Sequence, residues 1–291
     1  MRTRFAPSPT GPLHLGHAYS AILAHDMARA AHGTFLLRIE DTDLARARPE
    51  WESRIYEDLH WLGLGWPEPV LRQSDHLARY AAAIDALGAR GLLYPCGCSR
   101  ADIRAALAAP QEGAGPAEGP YPGTCRGRPY ADRRPGDALR LDMARAIAAL
   151  RQAPPGQGPR GDRPLGQFRD TGPEHPGRHD LDAADLVATR GDLVVGRKEL
   201  GATSYLLASV LDDAAQGITH VIRGADLFEI TFPQVLLQRL LGLPTPEYHH
   251  HRLIRDETGK RLAKRDDARA IATYRAEGAR PETIRRLVGL A

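Results

Sequence analysis

Two histidines three residues apart, in the run His14-Leu15-Gly16-His17, are the first residues whose spacing suggests chemistry. Residues at that separation share one helix face, so both imidazoles can point the same way. A helix start adds unsatisfied N–H groups and a positive partial charge, which together suit a phosphate. The intervening glycine lets a ligand approach the backbone. The loop just before, Pro7-Ser8-Pro9-Thr10-Gly11-Pro12, sets the motif at a strand-to-helix junction, the place where nucleotide phosphates are held. Near the other end, Gly259-Lys260-Arg261-Leu262-Ala263-Lys264-Arg265 gathers four positive charges just past a turn over residues 256–259. A lysine there can swing onto a phosphate as a point charge; a merely solvated basic loop is the bland alternative.

Three further groups are chemically suggestive. Arg38-Ile39-Glu40-Asp41-Thr42-Asp43 puts three carboxylates at the end of an expected strand, where open α/β sheets bind ligands. They suit an ammonium group, although Asp41 or Asp43 would equally cap the next helix. Arg223, at the end of a strand expected over residues 219–223, offers the opposite charge to a carboxylate, or forms a structural ion pair. Cys96-Gly97-Cys98 with Cys125 suits a thiolate metal site, and tetrahedral zinc wants four ligands. The fourth stays open among Tyr121, water, His175 and His179; three incidental cysteines are the alternative.

The elements that must position these groups read as α/β. A short strand is expected over 4–8, a helix over 15–31 stopped by His32-Gly33, and a buried strand over 34–39. Strand, helix and strand at this spacing form the βαβ unit of a parallel sheet. Helical patterns follow over 49–62 and 74–90. Residues 110–179 then hold 12 of the 23 prolines, which rules out regular core elements throughout and points to a loop-rich insert. Regular pattern returns over 185–188 and 192–197, with a helix over 204–215. From Pro233 onward the chain reads as helical apart from a hairpin around 253–259. No internal repeat of fixed period is present.

Composition bounds the rest. The 291 residues suffice for one large domain or two smaller ones. Apolar residues at 42% and charged residues at 26% exclude wholesale disorder. No run approaches the ~20 apolar residues of a membrane span, and the opening residues lack the apolar core of a secretory signal. Three cysteines argue against a disulfide framework and for a reducing cytoplasm. A net charge of +3 is too mild to indicate nucleic-acid binding by itself. Among the 39 basic residues only Lys198, Lys260 and Lys264 are lysines; the arginine excess reads as compositional bias.

Together these runs resemble the class I aminoacyl-tRNA synthetases, in their glutamyl branch. The stretch from Arg4 to His17 is similar to that family's substrate loop and HIGH motif, and Arg38-Ile39-Glu40-Asp41-Thr42-Asp43 to its R-x-E-D-T-D segment. Ser204-Tyr205, Val210-Leu211-Asp212-Asp213 and Val221-Ile222-Arg223-Gly224 match the second half of its nucleotide-binding domain. Arg261-Leu262-Ala263-Lys264-Arg265 resembles a degenerate KMSKS loop, with Arg261 for the first lysine and Ala263 for the serine. The chain stops at Ala291, where glutamyl-tRNA synthetases continue into a large helical anticodon-binding domain. That shortness, with Cys-x-Cys and the Tyr121-x-x-x-Cys125 spacing, resembles the glutamyl-Q tRNA(Asp) synthetase subfamily. Gly127 stands where some full-length relatives have histidine.

The resemblance implies a fold, an activity and a set of roles. The fold is a Rossmann-like parallel α/β sheet, with a catalytic domain over 1–92 and 185–236. A zinc-binding insertion spans 93–184, and a KMSKS-like loop and helical stem region span 237–291. The activity is ATP-dependent activation of L-glutamate to glutamyl-adenylate without tRNA, then transfer to the queuosine base in the anticodon of tRNA(Asp). His14, His17 and Lys264 are the implied catalytic residues and, with Gly16, bind ATP, which Mg²⁺ accompanies. Arg4, Phe5, Ala6, Pro7, Ser8, Glu40, Tyr205 and Arg223 form the glutamate site. Within it, Glu40 takes the ammonium group and Arg4 and Arg223 take a carboxylate. Cys96, Cys98, Tyr121 and Cys125 hold one structural Zn²⁺. A cytoplasmic monomer with no membrane contact is expected. The rivals are a truncated enzyme charging tRNA(Glu) and an inactive RNA-binding paralogue. A small-molecule adenylyltransferase would share the H-x-G-H helix start but has no need of the Glu40 and Arg223 pair.

Overall fold

A computed structural model describes residues 1–108, 119–152, 164–198, 203–255 and 269–290. Strand β1 (Arg2–Phe5) leads through the proline-rich loop into helix α1 (Leu15–Ala30), and β2 (Thr34–Ile39) returns parallel to β1, with Arg4 opposite Leu36. Helix α1 ends where His32 takes a left-handed φ of 49°. Helix α2 (Pro49–Trp61) begins on a proline, whose fixed φ and missing N–H suit a first turn. It leads to the short β3 (Leu71–Arg72), parallel to β2, and a 3₁₀ turn over Gln73–His76 opens into α3 (Leu77–Ala89).

The middle of the chain holds β4 (Leu93–Cys96), α4 (Arg100–Ala108), β5 (Ala138–Leu141), α5 (Met143–Arg151), β6 (Gln167–Asp170), β7 (Gly177–Asp180) and the one-turn α6 (Ala183–Asp185). Helix α6 runs on as a π turn over Leu186–Arg190, closed by Gly191 at a φ of 58°. There follow β8 (Leu193–Gly196), α7 (Tyr205–Ala215), β9 (His220–Gly224), α8 (Phe228–Leu241), β10 (Glu247–His251), α9 (Ile271–Ala276) and α10 (Pro281–Val288).

Among the described residues these strands form three sheets. Parallel β1, β2 and β3 form the first; the second runs in the order β7-β6-β10-β9, with β10 parallel to both neighbours; β4, β5 and β8 form an antiparallel third. Strands β1 and β9 abut, the Thr219 N–H donating to the Arg2 carbonyl at 3.0 Å, so the first two sheets meet edge to edge. Strands β6 and β7, inside the 93–184 span, pair with the sheet that contains β9. Helix α1 buries Ala18, Ala21, Ile22 and Ala28 with Phe35, Leu37 and Ile39 of β2. Fully burying a large apolar side chain contributes roughly 1.5–3 kcal/mol, which fixes this helix over the strand ends. A larger core packs α5, α7 and α8 around Val221 and Tyr248.

Four expectations differ from the structure. The strand expected over 4–8 is β1 at Arg2–Phe5. The stretch 110–179, expected to hold no regular core element, supplies β5, α5, β6 and β7, with Leu141, Met143, Ile147 and Phe168 in the larger core, because its prolines fall between these elements. The chain from Pro233 was expected to be helical, yet β10 is a parallel strand between β9 and β6, and α8 begins five residues before Pro233. The hairpin expected around 253–259 lies largely outside the described residues. Among the described residues no helix is long and apolar enough to cross a membrane.

Candidate active site

The site forms beyond the carboxyl ends of β1, β2, β9 and β10, around the start of α1. His14 caps that helix from an extended backbone: its Nδ1 accepts the Gly16 N–H at 3.1 Å, while His17 Nδ1 accepts the His14 N–H at 3.2 Å. This reciprocal cap satisfies two otherwise orphaned donors. It also assigns the ring proton of each imidazole to Nε2. The two rings lie 3.8 Å apart between centroids. A Cβ on Gly16 would stand 3.0 Å from His14 Cε1, so the glycine makes room for the capping imidazole as well as for a ligand.

Of the three carboxylates after β2, only Glu40 lines the cleft. Asp41 accepts the Ser74 N–H at 2.8 Å and the Ser74 hydroxyl at 2.6 Å, and Asp43 pairs with Arg46 at 2.6 Å, so both serve local structure. Glu40 is held by Arg38 Nη2 at 3.0 Å. Burial raises its pKa above the usual carboxylate value, against the opposing charge of Arg38. Arg38 is fully buried and also donates to Asp213 at 2.6 Å, and Asp213 in turn accepts from Arg4 Nε at 3.0 Å and Nη2 at 3.3 Å. Burial acts to raise the Asp213 pKa, but the two guanidiniums outweigh it and hold the group at about 2. One carboxylate from α7 therefore anchors the arginines of two strands.

Arg223 is 5% exposed and has no carboxylate partner among the described residues. Its Nε donates to His250 Nε2 at 3.1 Å, Nη1 to Gln234 Oε1 at 2.8 Å and Nη2 to Thr231 Oγ1 at 2.7 Å. Three neutral acceptors thus hold a buried cation at the cleft wall.

The cleft has a volume of about 350 Å³ and brings together Arg4, Phe5, Ala6, His14, Gly16, His17, Glu40, Tyr205 and Arg223, all expected from the sequence. Pro7 and Ser8, also expected, are not in its lining; the Pro7 carbonyl instead accepts the Glu40 N–H at 3.0 Å. Lys264, with the rest of the KMSKS-like loop from Lys260 to Arg265, lies outside the described residues. The structure adds Ser20, Asp226 and His251 to the lining. His251 Nδ1 donates to the Arg252 carbonyl at 2.8 Å and its Nε2 lies 2.8 Å from the Ser20 hydroxyl, tying β10 to α1. Burial drops the His251 pKa to about 4, so its imidazole is neutral at pH 7. The sequence signal for these residues was weak: His251 stands in a three-histidine run read as helix, and Asp226 falls one turn past a strand end.

The cysteines form a separate group. The sulfurs of Cys96, Cys98 and Cys125 lie within 4.8 Å of one another, Cys98 and Cys125 at 3.5 Å. The Tyr121 hydroxyl sits 3.4 Å from Cys96 Sγ and 3.6 Å from Cys98 Sγ. Tetrahedral zinc with ordinary bond lengths sets sulfurs about 3.8 Å apart and an oxygen about 3.5 Å from each sulfur, so this donor set fits the ion. His175 and His179 are elsewhere: His175 stacks on Phe228 at 3.7 Å, and His179 Nε2 bonds the His175 carbonyl at 2.8 Å.

Comparison with known proteins agrees with this geometry. Residues 1–130 and 184–291 match the family described as tRNA synthetases class I (E and Q), catalytic domain. The chain is 58% identical over 294 residues to a protein named glutamyl-Q tRNA(Asp) synthetase from Rhodobacter capsulatus, covering 100% of both. It is 42% identical to the protein of that name from Geobacter sulfurreducens, covering 94% of this chain and 78% of the relative. The solved glutamate tRNA ligase of Elizabethkingia meningosepticum, in complex with its amino acid, superposes with a TM-score of 0.73 at 28% identity. That match covers 100% of this chain but 60% of the ligase, so the chain spans about three fifths of that protein's length. A strand-end cleft opening on a histidine-capped helix, together with a family match over most of the sequence, leads to one conclusion: the chain belongs to the class I tRNA synthetases of the E and Q type.

Proposed function

We propose that this chain activates L-glutamate with ATP, without tRNA, and passes the glutamyl group to the queuosine base of tRNA(Asp). One observation carries the reading: a cation with no carboxylate partner among the described residues, Arg223, and a buried carboxylate, Glu40, line one cleft with the N-terminus of α1. That combination suits an amino acid with a second carboxylate lying beside a triphosphate. Glu40 takes the ammonium group. Arg223, assisted by Arg4, takes the side-chain carboxylate, leaving the α-carboxylate to face ATP. Tyr205, Phe5 and Ala6 shape the pocket.

In the first step an α-carboxylate oxygen forms a bond to the α-phosphorus of ATP as the bond to the β-phosphate oxygen breaks, releasing pyrophosphate. Such transfers need alignment and charge stabilisation more than a strong base. The Nε2–H groups of His14 and His17 and the start of α1 donate to the phosphates. Lys264 is assigned to the departing pyrophosphate on its sequence match. Mg²⁺ bound to ATP supplies further charge neutralisation. Zinc on Cys96, Cys98, Cys125 and Tyr121 would staple the segment between β4 and β5.

The acceptor assignment rests on the relatives' names and the full-length 58% identity. The activation step is tested by glutamate-dependent ATP–pyrophosphate exchange in the absence of RNA. The reading predicts robust exchange with glutamate and exchange with glutamine reduced by at least about 100-fold, because a carboxamide leaves Arg223 without its counter-charge. No exchange with glutamate, or equal exchange with glutamine, would overturn it.

A further inference from the structure

Buried arginines are ordinarily paired with a carboxylate, yet Asp170 meets Arg223 only through the His250 ring between them. Asp170 of β6 contacts His250 Nδ1, and the opposite ring nitrogen of His250 accepts from Arg223 Nε at 3.1 Å. All three are buried: Asp170 at 2%, His250 at 0% and Arg223 at 5% exposure. Asp170 is itself fixed, its Oδ1 accepting the Gly172 N–H at 2.7 Å and the His250 N–H at 3.2 Å. An ionised carboxylate can only accept, so it places the imidazole proton on Nδ1 and leaves the Nε2 lone pair for Arg223. Burial lowers the pKa of His250, which agrees with a neutral ring.

The indirect connection has a consequence for the cleft. A carboxylate bonded directly to Arg223 would neutralise it and compete with an incoming substrate carboxylate. Three neutral acceptors, on Nε, Nη1 and Nη2, orient the guanidinium without discharging it. They engage three of its five N–H groups and leave one on each Nη, the pair that a carboxylate takes in bidentate fashion. We infer that Asp170 and His250 are positioning residues for Arg223, setting the tautomer that aims its two remaining donors at the carboxylate of the substrate. The inference rests on the assignment of Arg223 to that carboxylate under the proposed function.

Asp170→Asn isolates the claim. The amide oxygen can still accept from Gly172 and His250, so the backbone is preserved, but the amide N–H now faces Nδ1. His250 must then carry its proton on Nε2, donor against donor with Arg223. Expected in ATP–pyrophosphate exchange is a rise of about 10- to 100-fold in the glutamate KM, with kcat and the ATP KM within about threefold of the parent. In a His250→Gln background the side-chain oxygen can accept from Arg223 without help from Asp170. Adding Asp170→Asn there should move the glutamate KM by less than about threefold. A glutamate KM within about twofold of the parent for Asp170→Asn, or the same rise in the His250→Gln background, would overturn the relay. Arg223→Lys separates the two claims. If it leaves the glutamate KM unchanged, the carboxylate assignment itself is wrong. If it raises that KM at least about 100-fold while Asp170→Asn has no effect, the relay alone is wrong.

Discussion

Replacing Asp213 by asparagine tests the arrangement beneath the cleft. The Asp213 carboxylate bonds Arg38 at 2.6 Å and Arg4 at 3.0 and 3.3 Å, with side-chain exposures of 9% for the acid and 0% and 6% for the arginines. An asparagine supplies one oxygen and turns its amide donors toward a guanidinium, leaving a buried cation undercompensated. Breaking a buried pair in this way costs about 3–5 kcal/mol. The depressed pKa follows from the same two contacts and gives a figure of the same order: a carboxylate held at about 2 instead of 3.8 corresponds to about 2.5 kcal/mol of stabilisation at neutral pH. The folded-state value is depressed, so this contribution is present above pH 4 and is lost as pH falls from about 4 toward 2. Asp213→Asn should therefore destabilise by about 3 kcal/mol at pH 7, seen as a fall of roughly 6–12 °C in melting temperature. The gap between parent and variant should narrow between pH 4 and pH 3. Urea and thermal unfolding across that range supply the measurement. A loss below about 1 kcal/mol at pH 7, the range of an exposed ion pair, or a gap that does not narrow in acid, would refute the reasoning.

Three further outcomes are expected. Glu40→Gln removes the charge proposed to meet the substrate ammonium, and glutamate-dependent exchange should lose about 10- to 150-fold in kcat/KM with the ATP KM little changed. Lys264→Ala should cut adenylate formation by at least about 100-fold while melting as the parent does; near-normal exchange would remove Lys264 from the mechanism. Metal analysis of freshly purified protein should find about one zinc per chain. Cys125→Ser should lose that metal and melt lower, while Tyr121→Phe should keep three thiolates yet release zinc faster to a chelator.

What the sequence made legible, and what it hid, follow from the range of the forces involved. Helix α1 and strand β2 were readable nearly to the residue, because apolar periodicity and the His32-Gly33 stop are local signals. The cleft residues on the loop after β1 and at the ends of β2 and β9 were legible because their chemistry sits in short runs. Strand β10 was not. Its run Glu247-Tyr248-His249-His250-His251 lacks the apolar pattern of a buried strand, and pairing on both sides stabilises it instead. Helix α8 was placed too late because Pro233, which usually marks a start, sits inside it. Partnerships across long sequence gaps were invisible: Arg38 with Asp213, 175 residues apart, and Asp170 with His250, 80 residues apart, are created by the fold. Of the three carboxylates after β2, spacing alone could not say that Asp41 and Asp43 would be taken by Ser74 and Arg46.

The central claim is the acceptor, and one measurement addresses it directly. Purified protein with ATP, Mg²⁺ and labelled glutamate is offered tRNA(Asp) with queuosine, tRNA(Asp) lacking it, and tRNA(Glu). The account predicts label on queuosine-bearing tRNA(Asp) alone. Label on tRNA(Glu), or on tRNA(Asp) regardless of queuosine, would contradict it.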